Sequence, residues 1–115
     1  MKDTIILFGS TGMLGNYVLN EFQRNYQVIA INRATYDIYE NDMNKLTELM
    51  EIYRNSVVIN CAGAIPQRST NKDDSYFIIN SLFPKMLEHI CIKLNNRLIH
   101  MSTNCVFNYT QGLCN

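Results

Sequence analysis

Three closely spaced glycines join the first apolar segment of the chain to its first amphipathic segment, and this arrangement constrains the fold most strongly. Residues Thr4–Phe8 (TIILF) form a short, β-branched apolar run, which is typical of a strand buried on both faces. The turn Gly9–Gly15 (GSTGMLG) follows, and apolar residues then recur at helical spacing from Met13 to about Asn25. A glycine turn between a strand and a helix is the setting of a dinucleotide-binding βαβ unit.

Each glycine of the turn has its own expected role. Gly9 permits a tight turn, Gly12 lets the backbone approach a pyrophosphate, and Gly15 lets the helix pack close to the sheet. The phosphates would then meet free backbone N–H groups and the positive end of the helix dipole. The alternative is a glycine-rich strand–helix turn that binds no ligand. The predicted cofactor contacts in this turn are Gly9, Thr11, Gly12, Met13, Leu14 and Gly15.

The rest of the chain repeats the alternation of strand and helix. This order predicts a parallel sheet with helices on both faces, a Rossmann-like three-layer α/β/α domain over residues 1–115. Right-handed crossovers and double winding give strand order 2-1-3-4, with the switch point at the carboxyl ends of strands one and three. Pro84 should bend or split the third helix, and Asp42 or Asn44 should cap the second. The further predicted strands are Gln27–Asn32, Ser56–Asn60 and Arg97–Met101, and the further helices are Asn44–Tyr53 and, approximately, Ser75–Asn95.

The end of the second strand bears on the choice of cofactor. An acidic residue here would accept hydrogen bonds from the ribose hydroxyls of NAD, but this chain has Asn32 and Arg33. The guanidinium of Arg33 can pair with a 2′-phosphate in a bidentate way, which favours NADP over NAD while leaving NAD possible. The alternative is a solvated surface arginine.

Small and hydroxyl residues follow the last two strands. Residues Asn60–Ala64 (NCAGA) leave room for a cofactor across the switch point, although an ordinary loop would look the same. We interpret Cys61 as a packing residue, because no base is evident near it. Ser102 and Thr103 directly follow the fourth strand, where hydroxyls can reach a substrate carbonyl; a Ser/Thr turn is the alternative.

Together these features resemble the extended short-chain dehydrogenase/reductases, and within them the dTDP-4-dehydrorhamnose reductase-like group of sugar-nucleotide reductases. In that family NAD(P)H gives a hydride to a 4-keto sugar nucleotide and a tyrosine supplies the proton. The resemblance covers nearly the whole chain in the family's order. The matching segments are Gly9–Gly15, Tyr36–Ile38, Val58–Gln67, Ile79–Ser81 and Leu98–Phe107.

The resemblance also implies roles for individual residues. Thr103 would hydrogen-bond the keto oxygen of the substrate, and Asn80 would match the asparagine of the helix behind the active site. Asp37 and Ile38 would lie by the adenine. The remaining cofactor contacts implied in this way are Ala62, Gly63, Ala64 and Ser102.

Two departures from the family pattern limit the expected activity. The chain has Asn104 where the family usually has aspartate, and no tyrosine in the chain is followed four residues later by lysine. The family's Tyr-x-x-x-Lys pair would fall beyond Asn115, as would its sugar-binding segments. We therefore expect an incomplete version of the family fold that is not a competent reductase by itself.

Two further interpretations stay open. One is a non-catalytic NADP-binding module, as in the regulatory β-subunit of methionine adenosyltransferase, which resembles these reductases. Its fourth strand would be an exposed sheet edge, ready for self-association or a partner. The other is a decayed gene product without a stable fold.

The net charge and the cysteine pattern argue against several classes of binding site. Ten acidic and ten basic residues balance, which argues against a nucleic-acid or anionic-membrane surface. No segment approaches the length of a membrane span, and no export signal is evident at the start of the chain. The four cysteines form no Cys-x-x-Cys pair and have no histidine at ligand spacing, so we expect reduced thiols, a cytoplasmic location and no metal site.

Overall fold

A computed structural model of the chain describes residues 3–62 and 78–101. Strands and helices alternate along these residues, as the hydrophobic pattern predicts. The strands are β1 (Thr4–Phe8), β2 (Gln27–Ile31), β3 (Val57–Asn60) and β4 (Arg97–His100). The helices are α1 (Met13–Phe22), α2 (Met43–Ile52) and α3 (Phe83–Leu94), with a 3-10 turn at Ile38–Glu40 and a π-helical turn at Ile78–Leu82.

All four strands are parallel and stand in the order β2-β1-β3-β4, which confirms the predicted Rossmann-like topology. Ile6 in β1 pairs with Ile29 on one side and with Val58 on the other, and Val58 pairs in turn with Leu98. Because neighbouring strands are in register, β1 and β3 end side by side. Their carboxyl ends therefore form the predicted switch point.

Apolar side chains fill both faces of the sheet. On one face, Ile6, Phe8 and Val58 pack with buried residues of α2 and α3, and on the other face Ile5, Leu7 and Ile59 pack with Leu14 and Val18 of α1. Successive residues of a strand point to opposite faces, so a continuous apolar run such as Thr4–Phe8 serves both cores. The result is a three-layer arrangement with β1 and β3 at its centre.

Helix boundaries differ from the pattern where local hydrogen bonds intervene. Helix α1 ends at Phe22 rather than near Asn25, because the Asn25 and Tyr26 N–H groups both donate to the Phe22 carbonyl and turn the chain into β2. Pro84 splits the third helical segment as predicted: it lies in the first turn of α3, where a missing N–H costs nothing, and a π-helical turn precedes it. Residues 75–77 of that predicted helix lie outside the described residues.

Of the two proposed caps of α2, the structure uses Asp42. Its Oδ1 accepts a hydrogen bond from the Lys45 N–H at 3.1 Å. Asn44 lies inside the helix. Within the described ranges, no helix is both long enough and apolar enough to cross a lipid bilayer.

Candidate functional site

A cleft of about 360 Å³ lies at the carboxyl ends of β1, β2 and β3. It therefore occupies the switch point, where ligands of doubly wound folds bind. The glycine turn forms its floor, the segment after β2 forms one rim, and the residues after β3 form the opposite wall. Its lining residues are Phe8, Gly9, Ser10, Thr11, Gly12, Ile31, Asn32, Arg33, Tyr36, Asp37, Ile38, Tyr39, Cys61, Ala62 and Ile79.

The three glycines of the turn meet different surroundings. Gly9 has φ +82°, and a Cβ there would lie 2.5 Å from the backbone nitrogen of Ala62. A Cβ at Gly15 would overlap the Gly9 carbonyl oxygen, so glycine lets α1 pack against the turn. At Gly12 the nearest atom to an added Cβ would be the same oxygen, 3.7 Å away. Gly9 and Gly15 are thus explained by packing inside the chain, whereas Gly12 is not.

Helix α1 begins at the floor of the cleft. Gly12 is its N-cap and has no side chain that could accept a hydrogen bond from the first turn, and that turn contains no acidic residue. The first N–H groups of a helix have no acceptor within the helix, and they carry the positive end of its dipole. The floor of the cleft therefore has the chemistry of an anion site.

A hydrogen-bonded turn carries the rim that follows β2. The Asn32 Oδ1 accepts from the Thr35 N–H at 2.9 Å and from the Thr35 hydroxyl at 3.1 Å. Arg33 lies within this turn, and its Nε is 3.5 Å from Oδ2 of Asp37. Among the described residues that line the cleft, Arg33 is the one basic side chain. The rim thus brings a guanidinium to the cleft, beside the carboxylate of Asp37.

The opposite wall is held by a buried amide. The Asn60 Oδ1 accepts from the Ala62 N–H at 3.0 Å, and its Nδ2 lies 3.3 Å from Nδ1 of His100 in β4. The Cys61 N–H donates to the Phe8 carbonyl at 2.9 Å, which extends the β1–β3 pairing to the edge of the cleft. These contacts fix the backbone that faces the glycine turn.

The cysteines among the described residues, Cys61 and Cys91, are free thiols. Burial raises the pKa of each to about 11, so both are protonated at neutral pH. Protonated thiols are poor nucleophiles, which supports the interpretation of Cys61 as a packing residue. Within the described ranges, no three His, Cys, Asp or Glu side chains are grouped so that they could hold a metal ion.

The structure brings together about half of the residues predicted to contact a cofactor. Leu14 and Gly15 are buried behind the turn, Met13 is exposed on α1, and Asn80 lies beside Ile79 in the π-helical turn; these four do not line the cleft. Gly63, Ala64, Ser102 and Thr103 lie outside the described residues. The predicted residues that do line the cleft are Gly9, Thr11, Gly12, Asn32, Arg33, Asp37, Ile38 and Ala62.

Two tyrosines of the rim were not predicted as site residues. The Tyr36 ring is buried and stacks on Phe83 at 6.2 Å, and the Tyr39 ring lies 5.8 Å from the Arg33 guanidinium carbon. Tyr36 directly precedes Asp37 and Tyr39 follows it by two residues, and this proximity to a predicted site residue is the signal that would have found them.

The chain is similar in sequence to a known protein family and to several curated proteins. Residues 1–112 match the family model described as the RmlD substrate binding domain. The chain is 25% identical over 108 residues to dTDP-4-dehydrorhamnose reductase from Mycobacterium tuberculosis, which covers 92% of this chain and 34% of that protein. It is 28% identical over 112 residues to dTDP-4-keto-6-deoxy-D-glucose reductase from Streptomyces niveus, covering 96% of this chain and 38% of that protein. The chain thus spans about a third of the length of the curated relatives it matches.

Solved structures show the same fold. The dTDP-4-dehydrorhamnose reductase of Bacillus anthracis, solved in complex with NADP, superposes with a TM-score of 0.73 at 20% identity, covering 85% of this chain and 35% of that one. The UDP-rhamnose synthase of Acanthamoeba polyphaga mimivirus gives 0.73 at 21% identity, covering 92% and 39%. At these identities the likeness establishes the Rossmann-like architecture.

Proposed function

The chain belongs to the RmlD substrate-binding domain family, and we propose that it binds NADP as the cofactor-binding part of a sugar-nucleotide reductase. In this proposal the pyrophosphate lies over Gly12 and the first turn of α1. The adenosine end lies against Arg33, Asp37 and Ile38, and the cofactor's centre passes Ala62. These residues line one cleft.

The observation that carries the proposal is the space at Gly12. Packing within the described chain accounts for Gly9 and Gly15, but an added Cβ at Gly12 would meet the Gly9 carbonyl oxygen at 3.7 Å, an ordinary van der Waals contact. A ligand that approaches the backbone closely would explain a glycine there. The uncapped amides of α1 lie at the same place, and they attract negative charge. A pyrophosphate meets both requirements.

The preference for NADP over NAD rests on Arg33. The end of β2 carries no acidic side chain to accept hydrogen bonds from ribose hydroxyls, and Arg33 lines the cleft at that point. A guanidinium can take two oxygens of a 2′-phosphate at once. The NADP complex of the Bacillus anthracis relative is in keeping with this choice.

For the reaction, we propose reduction of a 4-keto sugar nucleotide, the chemistry named for the curated relatives. Bound NADPH would supply the hydride, and Thr103 would donate a hydrogen bond to the keto oxygen. Proton transfer would need a tyrosine activated by a lysine, and no tyrosine of these 115 residues has a lysine four residues later. We therefore propose that these residues bind the cofactor without turning it over. We assign the chain to the cytoplasm, where its thiols would stay reduced.

Paired titrations of NADPH and NADH test this proposal. Arg33→Ala should weaken NADPH binding about ten- to a hundredfold and NADH binding little, because it removes charge-assisted hydrogen bonds to the 2′-phosphate. Arg54→Ala is the matched control: Arg54 is exposed and lies before β3, at the opposite end of the sheet. Failure of the wild-type chain to bind either nucleotide would refute the proposal. Equal affinities for both would refute the role of Arg33.

A second candidate function is a non-catalytic binding module that associates through β4. This strand pairs only with β3 in the described sheet, and Ile99 is 42% exposed. An open edge strand with an exposed apolar residue can pair with another chain. Concentration-dependent association that Ile99→Lys abolishes would favour this candidate; a monomer at all concentrations would count against it.

A further inference from the structure

The rim of the cleft between β2 and α2 is braced by its own hydrogen bonds. At its start, Asn32 closes a turn onto Thr35. At its middle, the Tyr36 hydroxyl donates to the Asp42 carbonyl at 3.3 Å while its ring is buried against Phe83. Such a segment holds its exposed side chains on a defined backbone, and Arg33, Asp37 and Tyr39 all project from it into the lining of the cleft.

The Asp37 carboxylate contacts both the Arg33 guanidinium and the backbone of Tyr39. One carboxylate oxygen, Oδ1, accepts from the Tyr39 N–H at 3.0 Å and caps the 3-10 turn that carries the tyrosine ring. The second oxygen, Oδ2, lies 3.5 Å from Nε of Arg33. One carboxylate therefore fixes both the guanidinium and the turn on which the ring is mounted.

The Arg33 guanidinium carbon lies over the ring of Tyr39. The Arg33 guanidinium carbon is 5.8 Å from the centre of the Tyr39 ring, within the range of a cation–π contact. The ion pair uses Nε, which has a single N–H, and the other donors of the guanidinium belong to its terminal nitrogens. With 75% of the Arg33 side chain exposed, those donors are accessible to a ligand in the cleft.

We propose that Tyr39 is a specificity-determining residue that positions Arg33: its ring holds the guanidinium at the rim of the cleft with the terminal donors available to a 2′-phosphate. This inference rests on the proposed nucleotide binding and adds to it. An unheld arginine would lose side-chain freedom on binding the phosphate, which reduces affinity. Because the ring acts through Arg33, its effect should appear for NADPH and be absent for NADH.

The test is a double-mutant cycle on nucleotide affinity in the full 115-residue chain. Tyr39→Leu should lower the ratio of NADPH to NADH affinity about two- to fivefold, the strength of an exposed cation–π contact. Tyr39→Phe keeps the ring and should keep the ratio. In an Arg33→Ala background, Tyr39→Leu should leave the ratio unchanged. Thermal melts of each variant check that the fold is retained.

Each other outcome has a distinct meaning. If Tyr39→Leu weakens the binding of NADPH and NADH equally, the ring contacts a part of the cofactor that both nucleotides share, and the positioning role is wrong. The role is also wrong if Tyr39→Leu lowers the ratio as much without Arg33 as with it, or leaves the ratio unchanged while Arg33→Ala lowers it. The proposed function itself fails if the wild-type chain binds neither nucleotide.

Discussion

The substitution Gly12→Ala adds one methyl group to the glycine turn, and we predict that it weakens nucleotide binding without unfolding the chain. The added Cβ would lie 3.7 Å from the Gly9 carbonyl oxygen, an ordinary van der Waals distance, and the backbone of Gly12, at φ −77° and ψ 171°, suits alanine. Alanine is a poorer N-cap than glycine by up to about 1 kcal/mol. Alanine also has less backbone conformational entropy than glycine in the unfolded chain, which offsets about 0.4–1 kcal/mol of that loss. The free energy of unfolding should therefore change by less than about 1 kcal/mol.

Binding should respond much more strongly to the same methyl group. It would stand where the pyrophosphate is proposed to approach the backbone at the start of α1. We expect NADPH affinity to fall at least about tenfold, which corresponds to about 1.4 kcal/mol. Titration calorimetry with NADPH measures the loss, and a thermal melt measures stability in the same samples.

Gly15→Ala is the matched control, because it adds the same group three residues further on. There the methyl would overlap the Gly9 carbonyl oxygen, a backbone atom that cannot move aside cheaply. Alanine is intrinsically favoured within a helix by about 0.5–1 kcal/mol, yet we expect a net loss of about 1–3 kcal/mol from overpacking. The reasoning is refuted if Gly12→Ala binds NADPH as the wild-type chain does, or if it lowers Tm as much as Gly15→Ala.

Three further predictions concern the elements that build the cleft. Asp42→Ala removes the cap of α2 and should lower the free energy of unfolding by about 1 kcal/mol in a denaturant titration; an unchanged midpoint would contradict the cap. Asn60→Leu leaves the Ala62 N–H without its acceptor and should cost about 1–3 kcal/mol by the same assay, whereas full stability would show that the amide does not hold the wall. Burial raises the pKa of Cys91 from 9.0 to about 11, so the folded chain keeps a proton that the unfolded chain releases. Stability should therefore fall as the pH rises from 9 to 11, and fall less steeply in Cys91→Ala; equal slopes would contradict the shift.

Topology was predictable because local chemistry and global fold agree in this chain. The apolar run Thr4–Phe8 is typical of a strand that is buried on both faces. The glycine turn that follows lets a helix pack closely against the carboxyl end of this strand. Pro84 has a similar local meaning, since its missing N–H is harmless only in a first helical turn. The parallel sheet and its order then follow from the alternation of strands and helices, right-handed crossovers and double winding.

Side-chain contacts across the cleft could not be read in the same way. The contact of Tyr39 with Arg33 depends on the 3-10 turn that Asp37 caps. The hydrophobic pattern of the sequence does not predict that turn. The amide of Asn60 contacts His100 because β3 and β4 pair in a register that places these two residues side by side. The different reasons for the three glycines also depend on atomic clearances, which spacing alone does not contain.

Amide chemical shifts during a titration with NADP test the central claim, nucleotide binding in this cleft, most directly. In a ¹H–¹⁵N spectrum, we predict saturable shifts at Gly12, Met13 and Arg33, which lie at the start of α1 and on the rim. Amides near the end of α3, such as Leu94, should stay unchanged, because they lie at the opposite end of the sheet. Shifts that are absent at the glycine turn, or that concentrate on β4, would contradict the account.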